Sequence, residues 1–135
     1  MTLAVTAPEL QQLLAEVAFT RSYGFQVHSL GDGECAIAIP FQPALERPGG
    51  IVSGQVLMAA ADVAMWLAIM TRLGKDTTAV TVEMKTNFLS GARQEDIVCH
   101  ARILKLGSRL IYGVAESAGR DGRLLAHHTI TYMQV

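Results

Sequence analysis

From Ser53 to Arg72 the chain reads SGQVLMAAADVAMWLAIMTR, and between Arg47 and Arg72 its only charged side chain is Asp62. Ser53 suits a helix N-cap and Arg72 complements the negative end of a helix dipole, so the run predicts one helix, apolar almost all round. Such a helix has to be buried on nearly every side, which dictates what the rest of the chain must supply. A carboxylate at its centre is expensive and must find donors, a charged partner or water in a cleft. In that setting Asp62 is a candidate general base or nucleophile in a pocket. Three other readings stay open at this point. Asp62 could make a structural hydrogen bond at a subunit interface. The helix could span a membrane, where a central Asp costs about 3 kcal/mol. Asp62 could also face solvent on an exposed stripe, although no second polar residue marks one.

The surrounding chain argues for a sheet with this helix lying on it and against a membrane span. Leu10, Leu13, Leu14, Val17 and Ala18 recur at helical spacing, predicting a short amphipathic helix from Pro8 to Thr20. Phe25 to Pro40 reads as a hairpin turning at Gly31-Asp32-Gly33. Phe41 to Val52 holds Pro43, Pro48 and Gly49-Gly50 without periodicity, and is expected to be a functional loop. From Thr78 to Phe88 the alternation is strict, with Val80, Val82, Met84, Thr86 and Phe88 on one face and Thr81, Glu83, Lys85 and Asn87 on the other. Strand-like runs follow from Ile97 to Leu106, Arg109 to Ala118 and Arg123 to Met133, so the last four strands are expected to form an antiparallel meander. The fold class is therefore α+β, one domain over residues 1–135, with an antiparallel sheet of about six strands and one long helix lying on it. One sheet covers only one side of the helix.

Composition agrees. Half of the 135 residues are hydrophobic and 17% are charged, which points to a large core or a buried subunit interface. The formal net charge of −1 offers no basic footprint for nucleic acid. Cys35 and Cys99 match neither a zinc spacing nor a disulfide framework and read as buried thiols. The first residues lack a basic, apolar leader pattern and include Glu9 and Glu16, so the expected address is the cytoplasm. His127 and His128 neighbour each other on a strand and point to opposite faces, while His28 and His100 lack a ligand at useful spacing, so no metal site is expected.

Helix geometry sharpens the reading of Asp62. The N–H groups around Gly54 and Gln55 have no helical partner and lie at the positive end of the dipole, where they can polarise a carbonyl or hold an oxyanion. Glycine at 54 lets a substrate approach that backbone closely. Asp62 follows about 12 Å further along the axis, too far for one helix to bring both groups to one small reacting centre. Two copies meeting, Asp62 of one facing the Gly54 amide of the other, would solve this and would cover the surplus apolar surface.

The segment RPGGIVSGQVLMAAADVAM, Arg47 to Met65, followed by TVEMKTNFLSGA, resembles the hotdog-fold acyl-CoA thioesterases of the PaaI-like kind. Their loop and helix commonly read NPxGxxHGGxxxxLADxAM. Gly50 falls on the loop glycine, Gly54 on the first glycine of the HGG motif and Asp62 on the catalytic acid. The order of elements agrees over essentially the whole chain. The resemblance implies a curled antiparallel sheet wrapped round a central helix, assembled as homodimers or dimers of dimers (tetramers) with active sites between subunits. It implies hydrolysis of an acyl-CoA thioester, aryl or medium-chain, with Asp62 activating water or attacking directly and the Gly54 N–H polarising the carbonyl. No cofactor is implied beyond the CoA of the substrate. This chain departs from the motif at Ser53 in place of its histidine, Gln55 in place of its second glycine and Arg47 in place of its asparagine. Ser53 can still cap the helix, and Gln55 can donate to the carbonyl. Trp66 stands where some relatives keep a hydroxyl residue that holds the water.

The remaining candidates carry two readings each. Ser53 in Val-Ser-Gly-Gln lacks the first glycine of a nucleophile elbow, which favours a cap. Arg109, after Gly107-Ser108, starts a strand where relatives contact the pantetheine arm or CoA phosphates; otherwise it is a solvated turn charge. Gly107 reads as a turn glycine or a ligand contact, and Asn87 as a fold residue or a substrate contact. Met58, Met65, Trp66 and Met70 fit a pliable acyl pocket and an ordinary core equally well. Two other functions compete. One is an acyl-CoA-binding protein without turnover. The other is a hotdog dehydratase or hydratase, whose usual catalytic histidine has no counterpart before Asp62 on this loop or helix.

Overall fold

The computed structural model describes residues 2–135. Helix α1 spans Ala7–Glu16, capped by Thr6, whose hydroxyl accepts from the Glu9 N–H while the Glu9 carboxylate accepts from the Thr6 N–H. The predicted single helix to Thr20 breaks at Val17, which is extended, before a short turn α2 at Ala18–Arg21. The buried Thr20 hydroxyl donates to the Leu14 carbonyl at 2.8 Å, taking the acceptor that a continuing helix would have used. Strands β1 (Gln26–Gly31) and β2 (Glu34–Ile39) form the expected hairpin, with a bulge at His28. The run expected to be a loop folds further, into a 3₁₀ turn at Pro43–Leu45 and a miniature hairpin of β3 (Glu46–Arg47) and β4 (Ile51–Val52). Its turn has Pro48 and Gly49 at the centre, and Gly49 adopts φ +102°, closed to most side chains.

Helix α3 covers Gly54–Leu73 as expected, with Ser53 as its cap. Strands β5 (Val80–Phe88), β6 (Ile97–Leu106), β7 (Leu110–Ala118) and β8 (Leu124–Met133) complete the chain. The main sheet runs β1-β2-β6-β7-β8-β5, antiparallel throughout and wrapped around α3. The meander expected of the last four strands holds for β6, β7 and β8 only. Strand β2 pairs with β6, and β5 crosses to the far side of β8. That crossing is the route by which the chain leaving the end of α3 reaches the second side of the helix.

The core is the concave face of this sheet against α3. Ile37, Ile39, Cys99, Ala101, Ile111, Ala115 and Ile130 meet Leu57, Ala60, Ala64, Met65, Ala68 and Ile69, all buried. Although α3 is long and apolar enough to cross a bilayer, two thirds of that apolar stretch is buried inside the chain (67%), as in a core helix. Its uncovered stripe holds Gln55, Met58, Ala59, Asp62 and Trp66. The stripe lies beside β5, which has a strand partner on one side only.

The two ends of the sheet differ. At β1 the Gln11 side chain of α1 imitates a neighbouring strand: its Oε1 accepts from the Val27 N–H at 2.8 Å and its Nε2 donates to the Phe25 carbonyl at 3.4 Å. Among the described residues, nothing of the kind lies along β5.

Two close-packed points carry testable consequences. A Cβ on Gly113 of β7 would lie 2.6 Å from the Arg102 carbonyl oxygen and would also collide with the Met65 thioether. Gly113→Ala should therefore destabilise the protein by about 1–3 kcal/mol, read as a lowered midpoint in urea unfolding at unchanged slope.

His128 of β8 is fully buried between the hydroxyls of Thr86 (2.8 Å, at Nδ1) and Ser117 (3.0 Å, at Nε2). Burial, with the His127 charge adding to it, pushes this imidazole down to about 4. The unfolded chain takes up the proton near pH 6.5, the folded chain only near pH 4. Stability from this group is thus complete above about pH 7 and is lost as pH falls from 6.5 to 4, by roughly 3 kcal/mol in all. His128→Gln should flatten that slope in unfolding curves collected at several pH values.

Candidate active site

A strict alternation along β5 would aim Thr81 away from the helix. The register slips between Thr81 and Glu83, leaving Val82 as an extra residue. The bulge reverses the faces expected for the first part of the strand. Thr81 now joins Met84, Thr86 and Phe88 on the side of α3, opposite Tyr132 of β8. The expected grouping of Val80 and Val82 with Met84 fails for this reason.

That slip completes the surroundings of Asp62. The carboxylate sits half-buried at the middle of α3, on the uncovered stripe. Thr81 Oγ1 donates to Oδ1 at 2.7 Å and Tyr132 OH donates to the same oxygen at 2.8 Å. Tyr132 OH also lies 3.0 Å from the main-chain oxygen of Asp62. Burial and the neighbouring Asp62 charge hold the Tyr132 phenol far above its ordinary range, so it stays protonated and donating. Among the described residues, both hydrogen bonds to the carboxylate fall on Oδ1 and none on Oδ2. The group faces a cleft of about 300 Å³ walled by Val17, Phe19, Val63, Trp66 and Val80. Phe19 reaches it because α1 breaks at Val17. Of these neighbours only Trp66 was singled out from the sequence. Thr81 was hidden by the bulge, and Tyr132 lies 70 residues away with no local signal.

The start of α3 opens on a different cleft, of about 420 Å³, lined by Arg47, Ile51, Gly54, Leu57, Phe88 and Gly91 among others. No lining residue is shared between the two clefts. Ser53 Oγ accepts from the Gln55 N–H at 3.2 Å, the cap its position predicts. Gly54, first in the helix, presents an N–H that the helix cannot satisfy. A Cβ there would lie 2.9 Å from Cε1 of the Phe88 ring, so the bare backbone is what fits beside β5. Gln55 is exposed next to it. Gly50 ends the β3–β4 turn at φ +74°, close to Arg47. Asp62 and Gly54 thus stand at opposite ends of one open edge, facing separate spaces.

Gly107, Ser108 and Arg109 lie elsewhere, at the β6–β7 turn, where with Lys105, Leu110, Tyr112 and Thr131 they line a cleft of about 650 Å³. The Gly107 N–H donates to the Leu110 carbonyl at 2.9 Å, and a Cβ would lie 2.6 Å from that oxygen, so the glycine serves the turn. Asn87 pairs with His127 of β8 on the face turned away from α3. His127 and His128 point to opposite faces, and among the described residues no three His, Cys, Asp or Glu side chains converge as a cation site. Burial pushes the Cys35 and Cys99 thiols up to about 12, which leaves neither as a nucleophile near neutral pH.

Comparison with known proteins places this geometry. The sequence model of the thioesterase superfamily matches residues 49–131, from the β3–β4 turn into β8. The conserved protein PA5202 of Pseudomonas aeruginosa is 31% identical, with a TM-score of 0.85 over 92% of this chain and 98% of that one. The thioesterase HI1161 of Haemophilus influenzae shares the fold at a TM-score of 0.91 and 20% identity, covering 100% of this chain and 95% of that one. A hypothetical thioesterase protein of Streptococcus pneumoniae, solved with coenzyme A, shares it at a TM-score of 0.75 and 14% identity, over 82% and 85% of the two chains.

Proposed function

This chain belongs to the thioesterase superfamily, with the hotdog fold, and from that premise we propose that it hydrolyses acyl-CoA thioesters, aryl or medium-chain, at sites shared between two subunits. The observation that carries the reading is the carboxylate in the middle of α3, held through Oδ1 by two hydroxyls and lining a cleft. A fold relative solved with coenzyme A supports the thiol half of the substrate.

The open edge of β5 supports the shared site. Its unpaired backbone groups call for a strand, and the strand most readily supplied is β5 of a second copy. Antiparallel pairing about the middle of the strand, near Met84, brings the Thr81 end of one copy beside the Phe88 end of the other. Asp62 of one subunit then meets Gly54 of the partner subunit, and the uncovered stripe of each α3 is closed. The thioester carbonyl accepts from the Gly54 N–H at the positive end of the helix dipole. Oδ2 of Asp62 takes a proton from water as the water oxygen adds to the carbonyl carbon. Collapse of the tetrahedral oxyanion breaks the C–S bond, releasing acid and thiolate. Ser53 fixes the first turn, and Gln55, beside Gly54, adds a side-chain donor toward the oxyanion. Trp66 and Phe19 wall the acyl group. Arg47 and Gly50 border the approach to Gly54, and Arg109, with Lys105, offers positive charge to the CoA phosphates. The reaction needs no cofactor beyond the CoA of the substrate.

Asp62→Asn should lower thiol release, followed with a colorimetric thiol reagent, by about a thousandfold or more for benzoyl-CoA and octanoyl-CoA alike. Retained binding of a non-hydrolysable CoA thioether would separate lost chemistry from lost affinity; full activity would remove Asp62 from the mechanism.

Subunit mixing tests the shared site. Asp62→Asn and Gly54→Val should each be inactive, yet co-refolding them should restore about a quarter of the wild-type rate, because half the mixed dimers' sites join two intact halves. No recovery from a mixture proven to contain mixed dimers would place both groups on one chain.

A further inference from the structure

We infer that Tyr132, with Thr81, is a positioning residue for Asp62: the two hydroxyls hold Oδ1 and so reserve Oδ2 for the reaction. This rests on the reading of Asp62 as the reacting carboxylate. An aspartate carboxylate turns broadly about its last torsion, so an unheld Asp62 would present either oxygen at many angles. Here donors from two neighbouring strands, β5 and β8, converge on one oxygen at 2.7 and 2.8 Å. Turning the carboxylate breaks both bonds at once.

Tyr132 contributes something Thr81 does not. Its hydroxyl also lies 3.0 Å from the Asp62 main-chain oxygen, so the clamp is referenced to the helix backbone as well as to the side chain. That main-chain oxygen already has a helical partner four residues on, in the Trp66 N–H, so removing the hydroxyl leaves no backbone group stranded. The Tyr132 ring is only 4% exposed and packs in the core, and phenylalanine would keep that packing. Tyr132 therefore acts through Asp62.

Orientation and electronics predict opposite signs. Hydrogen bonds to a carboxylate weaken it as a base. Were that their main effect, removing them would speed the reaction; if they aim Oδ2, removing them slows it.

The test is steady-state kinetics of Tyr132→Phe, Thr81→Val and Thr81→Ser on benzoyl-CoA and octanoyl-CoA, beside wild type and Asp62→Asn. The expected result is kcat about tenfold lower or more in Tyr132→Phe and Thr81→Val, KM within about twofold, and near wild-type kcat in Thr81→Ser. Wild-type or faster kcat in Tyr132→Phe while Asp62→Asn is inactive overturns the positioning role and leaves the reading of Asp62 standing. A raised KM at unchanged kcat makes Tyr132 a binding residue and overturns it too. An active Asp62→Asn overturns the reading itself. Should Tyr132→Phe fail to fold by circular dichroism, the threonine pair decides: equal kcat in Thr81→Val and Thr81→Ser overturns the clamp.

Discussion

A helix with apolar side chains on every side has no natural solvent face, and most of this structure answers that fact. Six strands curl around α3 and cover it from β2 through β8. The sheet ends at β5 before the circle closes. What stays open is a stripe of the helix and one side of a strand, lying together. The one charged side chain in the middle of that apolar helix, Asp62, occurs on that stripe and nowhere deeper.

The same edge explains why so small a chain can hold two unlike environments. At the Phe88 end the helix begins, with a bare backbone N–H and the positive end of its dipole. At the Thr81 end, two hydroxyls gather on one carboxylate oxygen. Neither environment borrows from the other within the chain. The fold keeps the bare N–H at the start of α3 and the held carboxylate in separate clefts, and in the proposed mechanism a second copy brings them together.

Much of this was readable in the residues. The unbroken apolar run, its cap at Ser53 and the lone Asp62 gave α3 and its centre directly, since burial and capping are local consequences of side-chain type. The spacing of Gly54 from Asp62 put the two groups too far apart on one helix for a single small reacting centre, and in the structure they line different clefts. The order of strands was not legible, because alternation reports that a strand has two faces without naming its neighbours. Hence β5 was placed beside β6 when it lies beside β8. Thr81 escaped because one extra residue, Val82, inverts the faces of the strand, and a bulge changes no residue type. Tyr132 escaped because its partner is distant in sequence. Val17 looked like one more helical position, and only Thr20 reaching back to Leu14 shows why the helix stops there.

An unequal treatment of the two sheet edges has a further consequence. A strand edge that can pair at both ends of a sheet is the beginning of a fibre, because every addition exposes a fresh place to add. Gln11 occupies the start of the β1 edge with a side-chain amide and the bulge at His28 bends the strand, so that end offers a poorer template. Pairing through β5, as proposed, would consume the one inviting edge that each copy offers among the described residues. In the proposed assembly, growth along the sheet would stop at two copies, and the edge that invites pairing would also be the one that limits it.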